Sequence, residues 1–120
     1  MRFWQSRVLT KKQALQITER LSNKSRPIGP VNILLLDGLG FKEGKQYTWD
    51  LRNALIYANW PAQILPVSFM KHEKGIWICG QDNNNPSTYQ TLKEALLSAK
   101  VDLQSDPERD AGIYTIMIGR

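Results

Sequence analysis

The order of apolar and polar residues along the chain predicts alternating strands and helices. Val31 to Asp37 is a continuous apolar run ending in an acid, which is typical of a strand covered on both faces. From Gly44 to Ala58 apolar residues recur at helical spacing, which predicts a helix lying on a sheet. Ala62 to Phe69 is predicted to form a second strand. Trp49 lies off the apolar stripe of the helix, so the pattern leaves the exposure of its side chain open.

The second half of the sequence repeats this order. A strand is predicted over Ile76 to Cys79, followed by a helix from Pro86 to about Ala99 with Asn85 at its N-cap. The pattern Ala-Leu-x-x-Ala occurs in both helices, starting at Ala54 and at Ala95. A chance likeness between two amphipathic helices is the alternative to a true repeat. In either case the chain contains two strand–helix–strand units.

These units predict the fold class. A right-handed crossover places the two strands of a strand–helix–strand unit parallel in one sheet. A short strand over 101–103 ends the second unit, and a closing strand is predicted over 113–118. We therefore expect a three-layer α/β domain, Rossmann-like or flavodoxin-like, with a mostly parallel sheet of about five short strands and three helices.

A helix at about 10–22 precedes the first strand. Thr10 followed by Gln13 forms a capping box at its start. The apolar stripe of this helix is predicted to consist of Ala14, Leu15, Ile17 and Leu21. We divide the chain into a basic N-terminal segment with this first helix, residues 1–28, and a single α/β domain, residues 29–120, that packs with it.

Positive charge is concentrated at the N-terminal end. The net charge is +5, but residues 1–26 hold seven basic residues against one acid, whereas the other 94 residues hold nine basic and ten acidic ones. A nucleic-acid footprint usually spreads Lys and Arg along a face, with aromatic residues or a groove-reading helix among them. Docking of nucleic acid by the basic N-terminal arm is therefore an alternative function, and a solvated basic face is the simpler explanation.

Composition excludes several classes of site. With one cysteine, Cys79, no internal disulfide forms, and with one histidine, His72, no Cys/His zinc cluster can be assembled. No apolar signal region follows Arg2, and the longest aliphatic run, Ile33 to Leu36, is far shorter than the roughly 20 residues of a membrane span. We expect a protein of the reducing cytoplasm, and we predict neither a metal nor a cofactor.

The segment after the first strand looks like a phosphate-binding loop but has the wrong spacing. A Walker A loop has four residues between its glycines, whereas five separate Gly38 from Gly44 and three separate Gly40 from it. No Ser or Thr follows Lys45. The G-x-G-x-x-G fingerprint also fails, because Glu43 stands in place of its third glycine. We expect no specific nucleoside triphosphate or NAD site.

Topology nevertheless predicts where a ligand would bind. In a flavodoxin-like order, with the first strand between the second and third, the loops after the first and third strands wall one crevice. Both loops precede helices, whose N-terminal amides favour an anionic group. The candidate ligand-binding residues are Asp37, Gly38, Gly40, Lys45, Gln81, Asp82 and Asn83. The alternative is that the acids cap turns and the glycines allow positive φ.

Catalysis has few candidates, and we assign no catalytic residue. Cys79 and His72 lie at opposite ends of one strand, beyond hydrogen-bond reach, so Cys79 is interpreted as a small buried hydrophobe. A small enzyme acting on a nucleotide or sugar phosphate through Asp37, Asp82 and Glu43 is another alternative function.

The order of elements resembles the cytoplasmic α/β domains at the C-terminal end of short bacterial membrane-anchored proteins, a group with no established activity. The matching stretches are RVLTKKQ (Arg7 to Gln13), ALIYANW (Ala54 to Trp60), GIWI (Gly75 to Ile78), ALLSA (Ala95 to Ala99) and YTIMIG (Tyr114 to Gly119). In that group one or two membrane spans run into a basic juncture and an L-T-x-x-Q helix start. This chain departs from the pattern in lacking a membrane span and a short Pro/Lys tail. No catalytic residue is carried over.

The resemblance and the charge distribution together suggest a place next to a membrane. Lys and Arg concentrate on the cytoplasmic side of membrane spans, and anionic head groups attract such segments. In this interpretation Arg2, Arg7, Lys11 and Lys12 are juxtamembrane charges and Trp4 is an interfacial anchor. The leading hypothesis is a non-enzymatic bacterial domain that senses or scaffolds at the inner face of the membrane. Its candidate partners are a small anionic ligand and an anionic membrane surface.

Overall fold

Three helices and five strands occur in the computed structural model, which describes residues 8–24, 27, 29–36, 42–68, 74–79, 86–106 and 115–119. The helices are α1 (Lys11–Ser22), α2 (Lys42–Tyr57) and α3 (Pro86–Ser98), and the strands are β1 (Val31–Leu36), β2 (Ala62–Val67), β3 (Ile76–Cys79), β4 (Leu103–Asp106) and β5 (Thr115–Ile118). Within these residues, the three helices and the five-stranded, mostly parallel sheet confirm the predicted α/β class.

The strands lie in the order β2-β1-β5-β3-β4. β1 is parallel to both β2 and β5, and β3 is parallel to β4, but β3 and β5 are antiparallel. The strand that comes last in the sequence therefore lies at the centre and joins two parallel pairs that point in opposite directions. The flavodoxin-like order, in which the first strand has the second and the third as its direct neighbours, is wrong because β5 lies between β1 and β3, and the sheet does not confirm a Rossmann-like arrangement.

The buried side chains of all the described helices belong to one core on a single face of the sheet. Side chains alternate between the two faces along a strand. The strand residues in the main core are Val31, Ile33, Ile76, Ile78, Ile116 and Ile118, and they form one cluster with the buried side chains of the helices. Relative to the first unit, the second unit is turned end to end within the plane of the sheet. This rotation does not exchange the two faces, so α2 and α3 lie on the same face when both crossovers are right-handed. The described part of the chain thus has two layers instead of the three that we expected.

The two strand–helix–strand units correspond residue by residue through their second halves. The buried positions Ala54, Leu55 and Ala58 of α2 match Ala95, Leu96 and Ala99 of α3. The strand after each helix begins at matching positions too, at Ala62 in β2 and Leu103 in β4. The repeated sequence pattern therefore corresponds to a repeated structural unit.

Both helices also end in the same way. In each, a backbone N–H beyond the helix donates back to a carbonyl of the last turn, which is the Schellman arrangement. The bonds are Trp60 N to Leu55 O at 2.9 Å and Val101 N to Leu96 O at 3.1 Å. The residue before each donor is left-handed, with φ of 68° at Asn59 and 63° at Lys100. These turns direct the chain from each helix into the next strand.

α1 packs against both α2 and α3. Its buried side chains, Ile17 and Leu21, enter the main core. The hydroxyl of Thr18 donates to the carbonyl oxygen of Ala54 on α2 at 2.9 Å. The small side chain of Ala54 permits this close approach of the two helices. The indole N–H of Trp60 donates to the carbonyl oxygen of Leu21 at 3.1 Å and fixes the other end of α1.

Candidate functional site

The ligand crevice predicted between the first and third strands requires both strands to end at the same edge of the sheet. Thr115 of β5 pairs with Asn32, near the amino end of β1, and also with Cys79, the last residue of β3. The carboxyl ends of β1 and β3 therefore lie at opposite edges, because β3 runs antiparallel to β1. The prediction that β1 and β3 both end at the edge of the sheet that holds the crevice is wrong.

Most of the residues predicted to line that crevice lie outside the described residues. They are Asp37, Gly38, Gly40, Gln81, Asp82 and Asn83, together with the side chain of Glu43. Lys45 is described and is exposed, and it lies inside α2, which begins at Lys42. The carbonyl oxygen of Gly44 accepts a 2.6 Å hydrogen bond from the hydroxyl of Thr48, one turn further along. Gly44 and Lys45 are therefore helical residues and do not form a phosphate-binding loop.

Cys79 lies on the face of the sheet opposite the described helices. It is fully buried in a small cluster with Met117, and Leu34, Val67 and Trp77 pack around the two. This burial confirms the interpretation of Cys79 as a small packed side chain. Among the residues that the structure describes, no three His, Cys, Asp or Glu side chains are grouped so that they could hold a metal ion.

Polar residues cross three neighbouring strands on this second face. Asn32 of β1 and Thr115 of β5 are buried and lie side by side, and Gln63 of β2 flanks Asn32. The amide nitrogen of Gln63 donates to the side-chain oxygen of Asn32 at 2.6 Å. This bond gives the buried amide a partner within the sheet. The polar row thus has a structural explanation that requires no ligand.

One side chain attaches the start of α1 to the end of α3. Gln13 N donates to Thr10 Oγ1 at 3.1 Å and Gln13 Oε1 accepts from Thr10 N at 3.0 Å, which confirms the predicted capping box. Gln13 Nε2 donates to the carbonyl oxygens of Ala99, at 3.0 Å, and Lys100, at 3.4 Å. The last carbonyls of a helix lack partners within it. Gln13 therefore caps the beginning of one helix and the end of another.

The surface at this end of α1 combines positive charge with apolar side chains. Lys11 and Lys12 are exposed in the first turn of the helix, which contains no acidic residue. Val8, before the helix, is 59% exposed and Leu15, one turn further along, is 58% exposed. We call these four residues the α1 entry surface. The other predicted membrane-contact residues, Arg2, Trp4 and Arg7, lie outside the described residues.

Leu15 was predicted to be part of the buried stripe of α1, and this prediction is wrong. Ile17 and Leu21 are fully buried and define the inward direction of the helix. At 100° per residue, Leu15 points roughly 160° away from Ile17. The angular positions in the sequence therefore contained the signal for an exposed leucine, which the spacing of apolar residues alone did not reveal.

The two lysines occupy an electrostatically unfavourable position. The amino end of a helix carries partial positive charge, so an exposed cation there is destabilising by about 0.3–1 kcal/mol. Within the described part of the chain, neither Lys11 nor Lys12 has a carboxylate partner. Asp or Glu would be more stable at both positions. These lysines do not stabilise the helix, and binding an external anion would give them a role.

A second exposed surface runs along α2. Trp49, Arg52, Ile56 and Tyr57 follow one another at i, i+3, i+7 and i+8, so they share one side of the helix. Trp49 is 52%, Ile56 41% and Tyr57 79% exposed. The guanidinium carbon of Arg52 lies 5.2 Å from the centre of the Trp49 ring, within cation–π range. We call these four residues the outer face of α2.

No family model, curated protein or solved structure matches the chain. None of the helices among the described residues is both long enough and apolar enough to cross a membrane. The α1 entry surface and the outer face of α2 are candidate contact surfaces within the described residues.

Proposed function

We propose that this is a non-enzymatic scaffolding domain that lies next to an anionic membrane and contacts it through the α1 entry surface. The observation that carries the proposal is the exposure of Lys11 and Lys12 between Val8 and Leu15. At an anionic bilayer, ammonium groups meet the head groups while apolar side chains reach the boundary of the acyl chains. The α1 entry surface offers both kinds of group at one place.

The expected strength of this contact is modest. Each Lys near an anionic surface contributes about 1 kcal/mol, so the two described lysines contribute about 2 kcal/mol. Partial burial of Val8 and Leu15 adds about 1–2 kcal/mol at the usual value per unit of apolar area. A contact of this size is reversible. The concentration of seven basic residues within positions 1–26 would strengthen it, as would the membrane anchor implied by the resemblance.

The contact would also orient the domain. The side chain of Gln13 is hydrogen-bonded both to Thr10 and to the carbonyl oxygen of Ala99, so the start of α1 is attached to the end of α3. A membrane that binds Lys11 and Lys12 would therefore hold the whole helical layer in one orientation. A fixed orientation is what a scaffold requires.

The aliphatic side chains favour a membrane over nucleic acid. Proteins that bind single strands stack bases on aromatic rings, and those that bind duplexes place basic residues along a groove-reading element. Val8 and Leu15, the exposed neighbours of the two lysines, provide no ring for stacking. Both side chains can enter the apolar boundary of a bilayer.

Vesicle co-sedimentation tests the proposal. We expect the chain to bind phosphatidylcholine vesicles that contain phosphatidylserine, to bind pure phosphatidylcholine weakly, and to dissociate as salt is raised. Lys11→Glu with Lys12→Glu should weaken binding about 30-fold or more, because two attractive charges become repulsive. Leu15→Ser should weaken it by a smaller factor. The matched control is Lys45→Glu with Lys74→Glu, which makes the same charge change at exposed positions of α2 and of the segment before β3.

Equal binding to the two kinds of vesicle would overturn the proposal. An equal loss in both double variants would overturn the assignment to the α1 entry surface, because it would show that only the total charge matters. Tighter, salt-dependent binding of RNA or DNA through the same lysines would favour the nucleic-acid alternative.

A further inference from the structure

The outer face of α2 has the composition of a protein-binding surface. Trp, Tyr and Arg are the residue types most enriched at interface hot spots, and Trp49, Tyr57 and Arg52 supply one of each. The apolar parts of these side chains remain in contact with water in the described structure. They would lose this contact on binding a partner. The outer face of α2 shares no residue with the α1 entry surface.

The internal repeat shows that the fold does not require these aromatic side chains. Ile56 of α2 corresponds to Leu97 of α3, and their exposures are alike, at 41% and 45%. In the same correspondence Gln90 and Ser98 of α3 stand where α2 has its exposed tryptophan and tyrosine. Both of these polar residues are on exposed helix positions. The aromatic residues thus distinguish one unit of the repeat from the other without contributing to the shared core.

The shape of the surface indicates the kind of partner. The outer face of α2 extends over two helical turns, which is about 12 Å at 1.5 Å per residue. Its side chains form i, i+3 and i, i+4 rows, and the side chains of a second helix can pack into the grooves between these rows. An amphipathic helix laid along α2 would cover the two aromatic residues and Ile56 together.

The charged side chains of this surface indicate the sign of the charge that a partner would carry. Arg52 lies over Trp49, donates to the side-chain oxygen of Asn53 at 3.3 Å, and has no carboxylate partner within the described residues. The nearby acid Asp50 accepts a 3.0 Å bond from the amide of Gln46, and its single negative charge is outweighed by Arg52 and Lys45 together. Lys45, one turn before Trp49, is exposed. The surface therefore offers positive charge beside apolar area, and an acidic partner complements it.

We propose that the outer face of α2 binds an acidic amphipathic helix of a partner protein, with a carboxylate on Arg52 and an apolar stripe on Trp49, Ile56 and Tyr57. A second copy of this chain fits less well, because it would bring two Arg52 side chains together instead of pairing each with a carboxylate. The proposal goes beyond membrane contact and does not depend on it.

A lipid-free titration tests this proposal. The probes are two fluorescent 18-residue helical peptides with the same leucine stripe, one flanked by Glu and the other by Lys. We expect the Glu peptide to bind more tightly. Trp49→Ala should weaken its binding about 30-fold, the effect of losing a hot spot of about 2 kcal/mol. Arg52→Glu should reverse the preference between the two peptides.

The repeat supplies the matched control for this titration. Ile56→Ser should weaken binding of the Glu peptide, whereas Leu97→Ser should leave it unchanged, although both remove an equally exposed aliphatic side chain. Thermal unfolding of each variant verifies that it is folded. Absence of binding at about 1 mM peptide, equal binding of the two peptides, or indifference to Trp49→Ala would overturn the proposal. Loss of phosphatidylserine vesicle binding in Trp49→Ala would assign this face to the membrane instead.

Discussion

Gln13 Nε2 lies 3.0 Å from the carbonyl oxygen of Ala99, although the two residues are 86 positions apart in the sequence. The same side chain accepts the Thr10 N–H in the capping box. Glutamate can serve as the acceptor in a capping box, but an ionised carboxylate cannot donate a hydrogen bond to a carbonyl oxygen. The two bonds together therefore require glutamine at this position.

Gln13→Glu is expected to destabilise the domain. A carboxylate gains about 0.3–1 kcal/mol from the helix dipole, but the variant loses the bond to Ala99 and places negative charge beside two carbonyl oxygens. We expect a net decrease of about 1–2 kcal/mol in the free energy of unfolding, measured by urea denaturation. Gln16→Glu, three residues along the same helix, is the control and should change the stability by less than about 0.5 kcal/mol. Equal effects of the two substitutions would contradict the double cap.

The tryptophans of α2 and of the turn after it should respond differently to the same substitution. Trp60 is buried and its indole N–H donates to Leu21, so Trp60→Phe loses a hydrogen bond and leaves a cavity. We expect it to lower the free energy of unfolding by about 1–3 kcal/mol. Trp49→Phe, at a half-exposed site, should change it by less than about 0.5 kcal/mol. A large effect at Trp49 would show that this residue belongs to the core.

Glycine should stabilise the two left-handed helix ends. Asn59 and Lys100 have φ of 68° and 63°, a conformation that Asn tolerates better than Lys. We expect Lys100→Gly to raise the free energy of unfolding by about 0.5–1 kcal/mol and Asn59→Gly to raise it by less. Asn53→Gly, inside α2, is the control of opposite sign and should lower it by about 0.5–1 kcal/mol. Destabilisation by Lys100→Gly would contradict the observed helix end.

Lys11→Glu with Lys12→Glu should stabilise the fold while weakening vesicle binding. Carboxylates at the amino end of α1 interact favourably with the helix dipole, so we expect the free energy of unfolding to rise by about 0.5–1.5 kcal/mol at low salt. Arg20→Glu, in the last turn of the same helix, should have the opposite sign. Thermal unfolding at two salt concentrations measures both. A decrease in stability in the Lys11→Glu, Lys12→Glu variant would show that the two lysines stabilise α1. Binding of an external anion would then not be needed to explain their position.

Local sequence patterns were sufficient to predict that each of the helices and strands occurs, although the strand predicted over 101–103 lies at Leu103–Asp106. They also indicated the repeat, with a chance likeness as the alternative. The capping box spans only the four residues from Thr10 to Gln13, and the pattern Ala-Leu-x-x-Ala marks the buried side of both α2 and α3. Each right-handed crossover then determines that its own two strands are parallel. These rules act within one unit, which is why they succeeded.

The direction of the second unit could not be predicted in the same way. Alternation of side chains along a strand is the same whichever way the strand runs, and a crossover does not relate β1 to β3. The central place of β5 did leave a signal. Ile116, Met117 and Ile118 are consecutive apolar residues and are fully buried, as expected for a strand covered on both faces. The prediction that β1 and β3 end at the same edge of the sheet was wrong because it depended on the relation between units.

The central position of β5 has a consequence for synthesis of the chain. Within the described sheet, the parallel pair β1–β2 and the parallel pair β3–β4 are joined only through β5. The ribosome must therefore translate residues 115–118 before the pairs can be bridged, and until then β1 and β3 each present an open edge to other chains. Premature termination before Thr115 would leave two half-sheets with exposed edges. Such a product is expected to aggregate and not to form a smaller version of the domain.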